Sequence, residues 1–190
     1  NPSTEDILHA AEQVPAMDVY VLPNNKNIVM AAEQAARLAR TSGVRRIHVV
    51  PTTTIPQGIS AMMAYDESAE IKDNVEAMQE AASRVQSGSV TFAARDSDYD
   101  GHQIKEGELL ALENGKVAFT GTDLGSVTAK VAKDLMREDS QFITLLYGAD
   151  VSEEQAADVE EAVRSLLPEE IELTVAYGGQ PVYYFLISVE

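Results

Sequence analysis

The chain has no cysteine and no tryptophan. Without cysteine it has no disulfides, no thiolate metal ligands and no cysteine nucleophile, a usage that fits a cytoplasmic protein. Histidine is scarce as well. His9, His48 and His102 are scattered, and no two stand at metal-ligand spacing. Only His102, beside Asp98 and Asp100, forms any cluster, and a solvated acidic turn accounts for it. Basic residues are few: 14 Lys and Arg against 31 Asp and Glu give a formal net charge of -17. Such a chain repels nucleic acid and anionic membrane surfaces at long range. No apolar run approaches bilayer length, which argues against a transmembrane segment. There is no internal repeat, no GxGxxG and no glycine-rich stretch followed by Lys-Ser/Thr, so the common nucleotide loops are missing. No activated serine can be identified for a Ser-His-acid arrangement.

What is present is an ordinary globular composition. Hydrophobic residues make up 45% of 190 residues, enough for one good-sized domain or two small ones. The opening Asn-Pro-Ser-Thr-Glu-Asp reads as part of a longer polypeptide, with Ser3 or Thr4 capping a first helix. The run "YYFLISVE" reads as a terminus held in a sheet.

The first half alternates strand and helix. Residues 18–22 form a β-rich run, 28–40 repeat apolar residues at helical spacing up to Gly43, and 47–50 form a second strand. This is a βαβ unit with parallel strands. The Thr- and Pro-rich stretch "PTTTIPQGIS" is expected to be a loop, followed by a long amphipathic helix over 67–87 and a third strand over 90–94. Met62, Met63 and Met78 are expected in core or interface packing. In the second half, Asn114-Gly115 between apolar runs signals a hairpin. Helices are expected over 123–137 and 152–167, the latter opening on the capping-box pattern Ser-Glu-Glu-Gln. Strands are expected over 142–147 and 171–176, with "YGGQP" turning into a last one. The fold class is α/β, in two layers or subdomains: 1–97, with a parallel βαβ sheet, and 98–190, mixed and carrying the hairpin.

Two polar loops occupy the carboxyl ends of the first two strands, where α/β proteins bind ligands. Asn24, Asn25 and Lys26 could hold a carboxylate or phosphate at a helix N-terminus, or an asparagine could simply cap that helix. Thr53, Thr54 and Gln57 offer donors for an oxyanion, or form a solvated turn. At the end of the second layer, Gly178, Gly179 and Gln180 allow a close backbone approach or a tight turn. The acid-rich helix from 153 to 161 is a solvated face or meets a basic partner.

The motifs "LPNNKNIVMAAEQAA", "VVPTTTIPQGISAM", "LLYGADVSEEQA" and "VAYGGQPVYYFLISVE" closely resemble the C-terminal region of the YloV-like, dihydroxyacetone-kinase-related proteins, the kinase subunit of bacterial fatty acid kinase. The resemblance covers essentially the whole chain. It implies a non-catalytic domain, inactive alone, that engages a separate DegV-family fatty-acid-binding protein. In the family an absent N-terminal domain binds ATP and magnesium, so no cofactor and no metal are expected here. The remainder of the kinase chain is a further expected partner, and homodimerisation of the parent is left open. The region also resembles the DegV fold. DegV lipid binders carry an Asp-Ser pair and a Thr-Ser-x-Pro-Ser motif that hold the fatty acid carboxylate. Asn24-Asn25 stands near the first, and Thr53-Thr54-Ile55-Pro56-Gln57 resembles the second with both serines replaced. No histidine matches the substrate-holding histidine of dihydroxyacetone kinases. The alternatives are a small-molecule binder of DegV type, taking a fatty acid or another anion, and an independent phosphotransferase.

Overall fold

The computed structural model describes residues 1–43, 45–99 and 102–190. Asp100, one member of the acidic turn around His102, therefore lies outside the described residues. The chain divides into two compact units, Asn1–Val85 and Gln86–Glu190. The expected border between 97 and 98 falls inside the second of them.

The first unit runs α1 (Thr4–Gln13), β1 (Asp18–Val21), α2 (Lys26–Ser42), β2 (Arg46–Val49), α3 (Ile55–Met63) and α4 (Ile71–Arg84). Ser3 caps α1 in a capping box with Asp6, each side chain accepting from the other residue's backbone N–H. Strands β1 and β2 pair in parallel, Asp18 opposite Arg46 and Val21 opposite Val49, as a βαβ unit requires. Gly43 ends α2 at φ 70°, its N–H donating to the Ala39 carbonyl. Only glycine adopts that left-handed cap without a Cβ penalty. The buried face of α2 is almost all alanine (Ala32, Ala35, Ala36, Ala39), which lets α2 lie close to Ile7 and Ala11 of α1 and to Val19 and Ile47 of the strands. A second, smaller core joins Val50, Ala61, Met78 and Ala82 with Tyr20 and Leu22.

The expected long helix over 67–87 is α4, which is shorter at both ends. Asp66 Oδ1 accepts from the Ser68 N–H and hydroxyl, an Asx turn that competes with helix, and buried Asn74 clamps Asp66 through both its amide atoms. The expected loop over 51–60 contains a helix instead. Thr54 caps α3, and Pro56 lies in its first turn, where a missing N–H leaves no bond unmade. Met62 and Met63 consequently sit at the end of α3, 66% and 83% exposed, and are not core residues; Met78 is.

The second unit contains β3 (Gln86–Phe92), β4 (Ser97–Tyr99), β5 (His102–Ile104), β6 (Leu109–Glu113), β7 (Lys116–Gly121), α5 (Leu124–Asp134), β8 (Phe142–Tyr147), α6 (Glu153–Arg164), β9 (Glu172–Tyr177) and β10 (Phe185–Val189). Six strands form one mixed sheet in the order β7-β6-β3-β10-β8-β9, antiparallel except for the β8–β9 pair. The third strand was expected to belong to the first layer. It stands instead between β6 and β10, because Val90 and the close-packed Gly88 fit the core of the second unit. A Cβ at Gly88 would lie 2.5 Å from Val131 and 2.8 Å from Leu135 of the helix side. The hairpin turn is Asn114-Gly115 at φ 47° and 80°, the primed geometry that matches strand twist. Asp123 caps α5, and Ser152 with Gln155 forms a capping box on α6. Strand β10 is buried along its whole length, and Phe185, Ile187, Leu145 and Ile143 are the largest fully buried side chains of this core. Burial is worth about 1.5–3 kcal/mol for each such side chain. A two-stranded hairpin, β4–β5, completes the unit.

Candidate functional site

Strand β1 ends at Val21 and β2 at Val49, and the loops that follow meet through Asn24 and Thr52. The Thr52 hydroxyl donates to Asn24 Oδ1 at 2.8 Å and accepts from the Asn24 N–H at 3.2 Å. Thr52 is 1% exposed and Asn24 half-buried, so the Thr52 end of this exchange is shielded from solvent. Asn24 holds φ 52°, a left-handed conformation that asparagine tolerates better than most residues. Its side chain lies flat on Gly58 in α3: a Cβ built there would fall 2.1 Å from Asn24 Oδ1. The glycine is what lets the asparagine fill the crevice between the loops.

Other side-chain oxygens of the two loops accept from close neighbours in the chain. Asn25 caps α2, its Oδ1 accepting from the Asn27 N–H at 2.8 Å. Thr54 caps α3, accepting from the Gln57 N–H at 3.3 Å. Gln57 folds back over the same turn, and its Oε1 accepts from both the Thr53 N–H and the Thr53 hydroxyl, at 2.8 and 2.9 Å. A carboxylate needs donors, and the backbone and hydroxyl donors of Asn24, Asn27, Thr52, Thr53 and Gln57 are each committed to a neighbour. Lys26 is exposed and forms no ion pair among the described residues. Beside the crevice an open cleft of about 300 Å³ is lined by Thr52, Gln57, Gln79, Ala82 and Ser83.

Below the loops, Asp18 joins the strands. Its carboxylate accepts from Arg46 through both oxygens and from His48 Nε2 at 2.8 Å. The Arg46 guanidinium, with His48 second, holds the Asp18 carboxyl well below the usual carboxylate range. His48 and Tyr65 each contact the ring of Tyr20, whose hydroxyl is pushed up from its ordinary value, chiefly by burial.

The candidates of the second unit also make a structural turn. The Gly178 and Gly179 N–H groups both donate to the Tyr147 carbonyl, at 2.9 and 3.2 Å. Gln180 Nε2 donates to the Leu146 carbonyl at 2.8 Å, and a Cβ at Gly178 would strike the Gln180 amide oxygen. The next residues form a γ-turn, with the Tyr183 N–H donating to the Pro181 carbonyl and Val182 at φ 73°. Tyr177, Val182 and Tyr183 are exposed around this turn.

The outer face of α3 is a feature that sequence reasoning missed. Ile55, Ile59 and Met62 recur at i, i+4 and i+7 and are all exposed, with Met63 beside them. An α-helix places those positions on one stripe. A large exposed apolar stripe marks an interaction surface more often than it marks nothing. Reading 51–60 as a loop hid this periodicity, and Gly58 escaped notice for the same reason. No helix of the described residues is long and apolar enough to cross a membrane, and the described residues hold no cluster of three metal-ligating side chains.

A parallel βαβ layer coupled in one chain to a mixed, hairpin-bearing sheet defines a class already known in solved structures. The fold is that of DegV-family and dihydroxyacetone kinase proteins. The fatty acid kinase B3 protein of Streptococcus pneumoniae, loaded with linoleic acid, superimposes with a TM-score of 0.65 at 14% identity, over 100% of this chain and 76% of that one. The dihydroxyacetone kinase from C. freundii, in complex with AMP-PNP and Mg2+, gives 0.74 at 16% identity over 100% and 42%. Such low identities establish the fold. Closer kinship lies in sequence. All of residues 1–190 match the C-terminal family of FakA-like fatty acid kinase subunits, and the chain belongs to it. Protein YloV of Bacillus subtilis is 40% identical and an uncharacterized protein of Staphylococcus haemolyticus 41% identical, each over the whole of this chain. The chain spans 34% of the length of each of these relatives.

Proposed function

We propose that this chain is the part of a fatty acid kinase subunit that docks an acyl-loaded DegV-family fatty-acid-binding protein. Docking brings the bound carboxylate to ATP and magnesium held elsewhere in the kinase. A carboxylate oxygen then attacks the γ-phosphorus, ADP leaves, and an acyl phosphate results. Phosphoryl transfer of this kind depends on positioning and on neutralising charge, so a docking domain can raise the rate without touching the reacting atoms.

The exposed stripe Ile55–Ile59–Met62 on α3 carries this reading. The crevice beside it supports docking over carboxylate capture, because the N–H groups of Asn24, Thr53 and Gln57 and the hydroxyls of Thr52 and Thr53 already have partners within or between the two loops. Titration calorimetry of the chain against a fatty-acid-loaded DegV-family protein tests it. Binding is expected, and Ile59→Asp with Met62→Asp should weaken it about tenfold or more, as for anchors of a desolvated contact. If the full-length kinase binds the carrier and this chain gives no heat, the docking role is wrong.

The cleft of about 300 Å³ beside Thr52 favours a second reading, capture of a small anion or lipid carboxylate. Native mass spectrometry of the purified chain separates the two. Retained lipid or anion would support capture, and a clean apo mass would leave docking alone.

A further inference from the structure

The layer of the first unit has only two strands among the described residues, and β2 has a free edge there. In a parallel ladder alternate residues point their N–H and C=O groups to opposite sides of a strand. Arg46 donates its N–H to the Met17 carbonyl and Val50 donates to the Val21 carbonyl, so the even-numbered residues of β2 face β1. Ile47 and Val49 therefore direct their N–H and C=O groups to the outer edge, where no backbone partner is found among the described residues. This edge forms the floor of an open groove of about 540 Å³. One wall is α2, with Glu33, Ala36, Arg37 and Arg40, the other is α4, with Val75 and Gln79, and Pro51 lies just past the end of the strand.

Proteins usually blunt a free edge by covering it or by placing charge or proline on it. Here the edge opens onto a groove between two helices. Arg37 and Arg40 have no ion-pair partner among the described residues, although acids outnumber bases by more than two to one in the chain. Two guanidiniums against the single carboxylate of Glu33 leave this wall net positive and favour carboxylates, while Val75 on the other favours apolar side chains.

We propose that this groove accepts an extended, acidic segment of the docking partner as a third strand beside β2. Its backbone would bond to Ile47 and Val49, its carboxylates would meet Arg37 and Arg40, and its alternate apolar side chains would lie against Val75. Main-chain bonds supply affinity and the alternating pockets supply selectivity, as in other strand-addition complexes. The inference rests on the docking reading and adds where, and by what pattern, the partner is held.

Amide exchange measured by NMR tests it, on the 190-residue chain alone and saturated with a fatty-acid-loaded DegV-family protein. The Ile47 and Val49 amides should slow about tenfold or more on binding. Arg37→Glu with Arg40→Glu should weaken binding about tenfold, and added salt should narrow that difference. Val49→Pro removes the outward N–H together with a side chain at the edge of the core, and should weaken binding while the circular dichroism spectrum is kept. If a complex forms while both amides exchange at their free rate, strand addition is overturned and docking survives. If no complex forms, the docking reading falls and takes this inference with it. Concentration-dependent protection of the two amides in the chain alone would assign the edge to a second copy and overturn the proposal.

Discussion

Replacing Gly58 by alanine should reveal how the crevice between the two loops is closed. Gly58 lies within α3, where alanine is favoured over glycine by about 0.5–1 kcal/mol. By helix propensity alone the variant would be more stable. The new Cβ, however, would occupy the space of the Asn24 amide, since the three atoms closest to it all belong to Asn24. Asn24 must then swing away and release the hydroxyl of Thr52, which is 1% exposed and keeps only a long 3.5 Å contact with the Val50 carbonyl. A buried donor left with so poor a partner costs most of the about 1–3 kcal/mol of an unpaired one. The balance is a loss of about 1 kcal/mol, read as a lower urea midpoint by far-UV circular dichroism at unchanged slope. A companion background makes the reasoning decisive. Asn24→Gly suits the positive φ at that position and removes the obstructing side chain. In that background Gly58→Ala should stabilise by about 0.5–1 kcal/mol, so the effect changes sign and the coupling is about 2 kcal/mol. Equal effects of Gly58→Ala in both backgrounds would refute the close approach of Asn24 to α3.

Thr54→Ala removes the cap of α3 and should cost about 1 kcal/mol in the same urea assay. Asp18 titrates lower in the folded chain than its ordinary value of 3.8, so its stabilising contribution is complete above that value and is lost as pH falls below it. Urea midpoints measured from about pH 6 to about pH 3 should therefore drop less steeply in Asp18→Asn than in the parent. Val182 is β-branched, about half exposed and held at φ 73°. Strain of that kind costs about 1–3 kcal/mol, and the added backbone freedom of glycine returns part of it, so Val182→Gly should raise stability by about 1 kcal/mol. Gly88→Ala, facing Val131, Leu135 and Ile187, should cost about 1–3 kcal/mol by overpacking, which the thermal midpoint would report.

Local chemistry made much of the fold legible. Asn114-Gly115, Ser152 with Gln155, Asp123 and Gly43 each dictate a turn or cap by their own bonding, and each occupies the expected place. Long-range pairing was not legible in the same way. Gly88 and Val90 read as a strand, but which sheet receives that strand depends on the core offered by α5 and β10, far along the chain. Proline and threonine misled at α3, because both residues suit a turn as well as the first turn of a helix. At the candidate site the residue types were right for either an anion or a cap. Geometry adds their partners in the fold: Asn25 turns to its own helix, Gln57 to Thr53, and Asn24 to Thr52. The approach of Asn24 to Gly58 leaves no periodic trace, and an edge like that of β2 is defined by the strand that is not beside it.

The central position of β10 has a consequence for biosynthesis. The strand lies between β3 and β8, so the six-stranded sheet stays in two halves until residues 185–189 have left the ribosome. At about 5–20 residues per second, the segment from β3 to β9 spends several seconds exposing the flanks of a sheet that lacks its middle. The first unit closes on contacts within its own residues and meets no such delay. Truncation shortly before Phe185 would thus leave the first unit finished and the sheet of the second open, a form that chaperones and proteases would meet.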